Sequence, residues 1–118
     1  MKNRKQYMAA LTLAVLVLSL GGCGKSKQQS YDSARNLYFY GQYSEARKAF
    51  KNLEGYQDSA AMVTACDYQL AMQQLADGEY LGASTAFAAL GEYGNSRGLS
   101  QAAAEMGALQ QYEEGNTE

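Results

Sequence analysis

The amino-acid sequence repeats itself with a period of 37 residues. Residues 31–66 align without a gap on residues 68–103, and eleven of the aligned positions are identical. They include Tyr31/Tyr68, Ala34/Ala71, Gly41/Gly78, Tyr43/Tyr80, Ala46/Ala83, Phe50/Phe87, Leu53/Leu90, Tyr56/Tyr93 and Ser59/Ser96. A period of roughly 20–50 residues is typical of proteins in which each unit is one supersecondary motif stacked on the next. The units are predicted at about 31–67 and 68–104, with a partial third unit at 105–115.

Each unit is predicted to be a pair of helices. Ala34, Leu37 and Tyr38 recur at helical spacing, and Gly41 can take the left-handed conformation that ends a helix. Asp58 precedes the next such segment and is predicted to be its N-cap. The composition supports an all-α fold, since alanine, leucine and glutamine are abundant and proline is absent. Helices are predicted at 30–40, 43–54, 59–77, 80–90 and 96–114.

The second helix of each unit carries a recognisable motif. Gly41-Gln-Tyr43-Ser-Glu-Ala46, followed by Phe50 and Leu53, resembles the tetratricopeptide repeat (TPR), and the matching positions of the second unit resemble it again. The resemblance implies a short right-handed αα-solenoid of about two and a half TPR-like repeats over residues 31–115, with the helix at 96–114 as its candidate cap. The unit is a variant, because its period of 37 exceeds the family's roughly 34 residues and no proline ends it.

The N-terminal segment is predicted to be a secretory signal. Lys2, Arg4 and Lys5 precede an apolar run at residues 8–20. As a helix that run would span about 20 Å, which is too short for a hydrocarbon core of about 30 Å. A basic start followed by a short apolar run is typical of signal peptides.

The signal ends in Leu20-Gly21-Gly22-Cys23, which resembles the lipobox of bacterial lipoproteins. The resemblance implies a diacylglyceryl group on the Cys23 sulfur and removal of residues 1–22. Two acyl chains hold a protein firmly at a membrane. We therefore expect lipid attachment at Cys23, a polar flexible tether at 23–30, and a location on the extracytoplasmic face of the cell membrane. An ordinary signal peptide and an uncleaved anchor are the alternatives.

The residue types argue against an enzyme and against nucleic acid as a partner. Histidine is absent, and the acidic residues are dispersed without the spacing of a metal-binding loop, so we expect no catalytic site, no metal and no cofactor. Cys66 is expected to be a small buried apolar residue, with an intermolecular disulfide as the alternative. After residue 22, seven basic side chains face twelve acidic ones, a net charge of −5 that disfavours nucleic acid.

The aromatic residues Tyr38, Phe39 and Tyr40 are consecutive, and on a helix they point in three directions. At least one of them should therefore be exposed, where it could anchor a partner. The TPR resemblance implies an inner face holding a predicted interaction surface, which comprises Arg35, Tyr38, Met72 and Leu75.

These observations together predict a non-catalytic, membrane-anchored module or scaffold that binds another protein. Because the stack is short, a homodimer is a further expectation. The alternative function is an accessory lipoprotein that binds a cell-wall component or a small solute. It is less favoured, because so small a stack has little room for a pocket of about 300 Å³.

Overall fold

The computed structural model describes residues 26–116, and within that range the chain forms five helices and no strand. They are α1 (Lys27–Phe39), α2 (Tyr43–Lys51), α3 (Ser59–Ala76), α4 (Tyr80–Ala89) and α5 (Ser96–Asn116). The predicted all-α class is confirmed, and every helix end lies within three residues of its predicted position. The predicted signal peptide at 1–22 and the lipid attachment site Cys23 lie outside the described residues.

Each helix packs mainly against the next helix in the chain, in the order α1–α2, α2–α3, α3–α4 and α4–α5. The first apolar cluster lies among α1, α2 and the first half of α3, where Tyr31, Phe50 and Cys66 are buried. The second lies among the rest of α3, α4 and the first half of α5, around Phe87 and Ala103. The long helix α3 therefore belongs to both clusters.

Aromatic residues that are identical in the repeat form matching ring pairs in both units. The ring of Tyr31 meets that of Phe50 edge-on, with centroids 5.8 Å apart, and Tyr68 meets Phe87 in the same way at 5.6 Å. Edge-on aromatic pairs add about 0.5–1.5 kcal/mol beyond the area they bury. The repeated aromatic residues therefore contribute to the packing of both apolar clusters.

Helix α1 begins at Lys27, so the last four residues of the segment predicted as a tether are helical. Its N-terminus carries a capping box: the Ser26 hydroxyl accepts a hydrogen bond from the Gln29 N–H at 3.1 Å, and the Gln29 side chain accepts one from the Ser26 N–H at 3.2 Å. Such a box satisfies two backbone donors that a helix start leaves unpaired. This local bonding extends the helix into a segment that carries no apolar residue.

Gly41 ends α1 in the left-handed region, at φ +79°, as predicted. The Gly41 N–H donates to the Tyr38 carbonyl at 3.0 Å, and the Gln42 N–H donates to the Leu37 carbonyl at 2.9 Å. This pair of bonds is a Schellman motif. Gly78 ends α3 with the same conformation, at φ +80°.

Asp58 occupies the predicted N-cap position of α3, but it does not cap the helix with its side chain. Asp58 precedes α3, but its side chain makes no capping hydrogen bond there. Its backbone, at φ −93° and ψ 23°, is outside the extended region that a capping side chain needs. Its carboxylate instead accepts a hydrogen bond from the Tyr31 hydroxyl, which ties α1 to the start of α3.

Candidate interaction surface

Arg35 lies exposed on α1 between two aromatic rings. Its guanidinium carbon is 5.9 Å from the centroid of the Tyr31 ring and 5.6 Å from that of the Phe39 ring. Both rings lie one helical turn away, and attraction between the cation and the rings holds the side chain along the helix. A shallow cleft of about 270 Å³ opens here, lined by Asp32, Arg35, Asn36 and Phe39.

Tyr38 is half-buried and packs against the first cluster. Its ring meets that of Tyr43 on α2 edge-on, with the centroids 5.3 Å apart. Burial raises the pKa of the Tyr38 hydroxyl, while a hydrogen bond with the Gln69 side chain of α3 acts in the opposite direction. Tyr38 therefore connects α1 to both neighbouring helices, and much of its ring is used in packing.

Phe39 and Tyr40, the next two residues, point away from the fold. Phe39 is 69% exposed and Tyr40 is 82% exposed. The expectation that at least one of these three consecutive aromatics is exposed is confirmed. Aromatic side chains of this size usually bury most of their area, so two adjacent exposed ones mark a surface suited to binding.

The other two predicted residues, Met72 and Leu75, lie on α3. Met72 is exposed, whereas Leu75 is half-buried and packs against the second cluster. The four predicted residues therefore divide by environment. Arg35 and Met72 are available at the surface, and Tyr38 and Leu75 mainly support the packing beneath it.

Two exposed apolar residues on α5 were missed in the sequence. Leu109 is 61% exposed and Tyr112 is 68% exposed. They follow Met72 and Leu75 by 37 residues, so the repeat offset would have identified them. Arg35, Met72 and Leu109 thus share one repeat position and all three are exposed. We define the candidate surface as Arg35, Phe39, Tyr40, Met72 and Leu109.

The described residues provide little for covalent or metal chemistry. Cys66 is a free cysteine with no exposed surface, which confirms its predicted role as a small buried residue. Burial raises the pKa of its thiol to about 11, and the nearby Asp67 carboxylate acts in the same direction. A protonated, inaccessible thiol is a poor nucleophile. Within residues 26–116, no three histidine, cysteine or acidic side chains are grouped so that they could hold a metal ion.

None of the helices within residues 26–116 has the length and apolar character needed to cross a membrane. Comparison of the chain with models of protein families, with curated proteins and with solved structures finds no match. The function is therefore inferred from the sequence and from the candidate surface.

Proposed function

We propose that this protein is a lipid-anchored extracytoplasmic module that binds another protein through the candidate surface. The observation that carries the proposal is the exposure of Phe39 and Tyr40 side by side at the end of α1. Few residues usually supply most of the binding energy of an interface, and large aromatic and arginine side chains are enriched among them. Arg35, stacked beside Phe39, adds such a side chain to the same surface.

The proposal includes a TPR-like architecture, a short right-handed αα-solenoid. Two observations support it: each helix packs on the next, and aromatic contacts recur 37 residues apart. In such stacks the helix pairs create extended surfaces that serve as binding platforms. The motif resemblance around Tyr43 and Ala46 favours the same function.

The proposed membrane location depends on Cys23, which is supported by the lipobox resemblance of residues 20–23. Cys23→Ser should abolish labelling by a palmitate analogue in cells and leave an uncleaved precursor. Cys66→Ala serves as the matched control and should be labelled and cleaved normally. Normal processing and acyl labelling of Cys23→Ser would disprove the anchor.

The binding surface can be tested by photocrosslinking in membranes. A photoreactive amino acid at Tyr40 should give a discrete crosslinked protein, and one at the exposed Lys51 of α2 should not. Arg35→Ala and Met72→Ala should reduce the Tyr40 crosslink. An unchanged crosslink in both variants would contradict the surface. Capture of only glycan or solute would favour the alternative function, an accessory lipoprotein.

A further inference from the structure

Four exposed residues form a straight stripe along α1. They are Gln28, Asp32, Arg35 and Phe39, separated by four, three and four residues, and we call them the α1 seam. At about 100° per residue, the four positions fall within roughly 60° of one another around the helix, and the seam is centred about 130° from the completely buried Ala34. The seam therefore faces away from the rest of the fold. Alternating steps of three and four residues are the spacing along which paired helices meet.

The α1 seam carries opposite charges at its centre. The Asp32 carboxylate accepts a hydrogen bond from the Gln28 amide at 3.0 Å, and the Arg35 guanidinium lies between the rings of Tyr31 and Phe39. Within residues 26–116, neither Asp32 nor Arg35 forms an ion pair. Both charges can therefore contact an opposite charge on another molecule.

We propose that the α1 seam binds the same seam of a second copy of this chain, as an antiparallel helix pair. A two-fold axis between residues 33 and 34 places Asp32 of one copy opposite Arg35 of the other, and symmetry repeats the contact in reverse. The same axis places Phe39 of each copy opposite Gln28 of the other, where the ring can cover the methylene groups of that side chain. Two ion pairs at the centre are thus flanked by an aromatic contact at each end.

Charge complementarity favours a second copy in this one arrangement. A parallel pair would bring Asp32 against Asp32 and Arg35 against Arg35, whereas the antiparallel pair matches opposite charges at both positions. The axis is perpendicular to the plane of the two helices, so the buried sides of both copies lie on the same side of that plane and do not collide. Because the seam shares Arg35 and Phe39 with the candidate surface, the inference rests on the proposed function and names the protein that is bound there.

The size of the contact predicts a reversible dimer that forms best on a membrane. Helix α1 has 13 residues and is about 20 Å long, so a pair of such helices belongs to the small, transient class of interfaces. Attachment of both chains to one bilayer raises their effective concentration for each other. Labelling of Cys23 by a palmitate analogue tests that attachment separately, so a failure of the anchor is not confused with a failure of the pairing.

Energy transfer between labelled full-length chains in phosphatidylcholine vesicles measures the pairing as the protein-to-lipid ratio is lowered. Gln101→Cys, at an exposed position of α5, carries the donor in one preparation and the acceptor in another, since the native Cys66 is buried. Asp32→Arg and Arg35→Asp should each weaken association by about tenfold or more, because like charges then meet across the axis. Lys48→Asp, an equal change of charge at an exposed position of α2, is the matched control and should associate like the original chain.

Combined variants separate the pairing from other effects of charge. Asp32→Arg and Arg35→Asp in one chain should restore association, and so should mixing the two single variants, because opposite charges then meet again. Circular dichroism of each variant should match the original, because the substituted side chains are exposed.

Three results would overturn the second copy as the occupant. The first is energy transfer by the original chain no greater than that of randomly distributed chains. The second is association of both single variants equal to that of the original chain. The third is a combined variant and a mixture that both stay dissociated. If any of these occurred while the photoreactive residue at Tyr40 still crosslinked a different protein, the proposed function would stand and only the partner would change.

Discussion

Gly41 and Gly78 end α1 and α3 in a backbone conformation that other residues adopt at a cost. Their φ angles are +79° and +80°, and an added Cβ would meet no atom within 4 Å at either position. Steric crowding therefore cannot contribute to the effect of Gly41→Ala or Gly78→Ala. Only the backbone conformation remains as a cause.

The free-energy change follows from two opposing effects. A left-handed residue with a Cβ costs about 1–2 kcal/mol. Alanine in place of glycine also restricts the unfolded chain, which returns about 0.4–1 kcal/mol. Gly41→Ala and Gly78→Ala should therefore each lower the free energy of unfolding by about 1 kcal/mol. For a domain of this size that corresponds to a Tm lower by about 4–8 °C.

Gly98 supplies the matched control. It lies within α5, and its added Cβ would also meet no atom within 4 Å, but its φ is not positive. Gly98→Ala should therefore raise the free energy of unfolding by about 0.5–1 kcal/mol. Thermal unfolding followed by circular dichroism measures all three variants. If Gly41→Ala raised Tm as much as Gly98→Ala, the left-handed helix ends described above would be incorrect.

Three further predictions concern buried polar groups. In a chain with Cys23→Ser, the buried Cys66 thiol should react with a disulfide reagent at least about a hundredfold more slowly than the same thiol in denaturant. The pKa of this thiol is about 11 in the folded chain, above the unfolded value of 9.0. The contribution of the protonated thiol to stability is therefore complete below pH 9 and is lost as pH rises towards 11. Comparable thiol rates in both states would refute burial. Ser59→Ala should leave stability unchanged or raise it by about 1 kcal/mol in chemical denaturation, because its buried hydroxyl has no hydrogen-bond partner among residues 26–116; a loss of more than about 1 kcal/mol would show that a partner exists. Tyr31→Phe keeps the ring but removes the hydrogen bond to Asp58, so it should lower the free energy of unfolding by about 1–2 kcal/mol, and an unchanged denaturation midpoint would contradict that bond.

The repeat explains why so much of the fold could be predicted. Each unit places its small and aromatic residues at helical spacing, so Ala46 and Phe50 were identifiable as buried before any contact was known. The glycine at each helix end has a purely local role, and its conformation follows from steric properties of one residue. Both features depend only on residues that are close in the sequence. Helix positions and helix ends of this kind can therefore be predicted without knowing any tertiary contact.

The missed features depend on contacts between distant residues or on overlooked local signals. Asp58 has the residue type of an N-cap, but its carboxylate accepts a hydrogen bond from the hydroxyl of Tyr31, which is 27 residues away in the sequence. The early start of α1 was signalled by Ser26 and Gln29, a capping box outside the apolar pattern. Exposure could be predicted for the aromatic group at 38–40 as a whole, but which of the three packs inward depends on where α2 lies.

The two clusters differ in a way that connects stability to binding. Apart from Phe87, the buried members of the second cluster are alanines, whereas the first cluster buries Tyr31, Phe50 and Leu53. Alanine buries little apolar area, so the second cluster gains less from the hydrophobic effect. Helix α5 should therefore open locally more often than α2, and hydrogen exchange would register lower protection of its amides. The proposed binding at Phe39 and Tyr40 therefore takes place at the end of a helix that is anchored in the better-packed cluster.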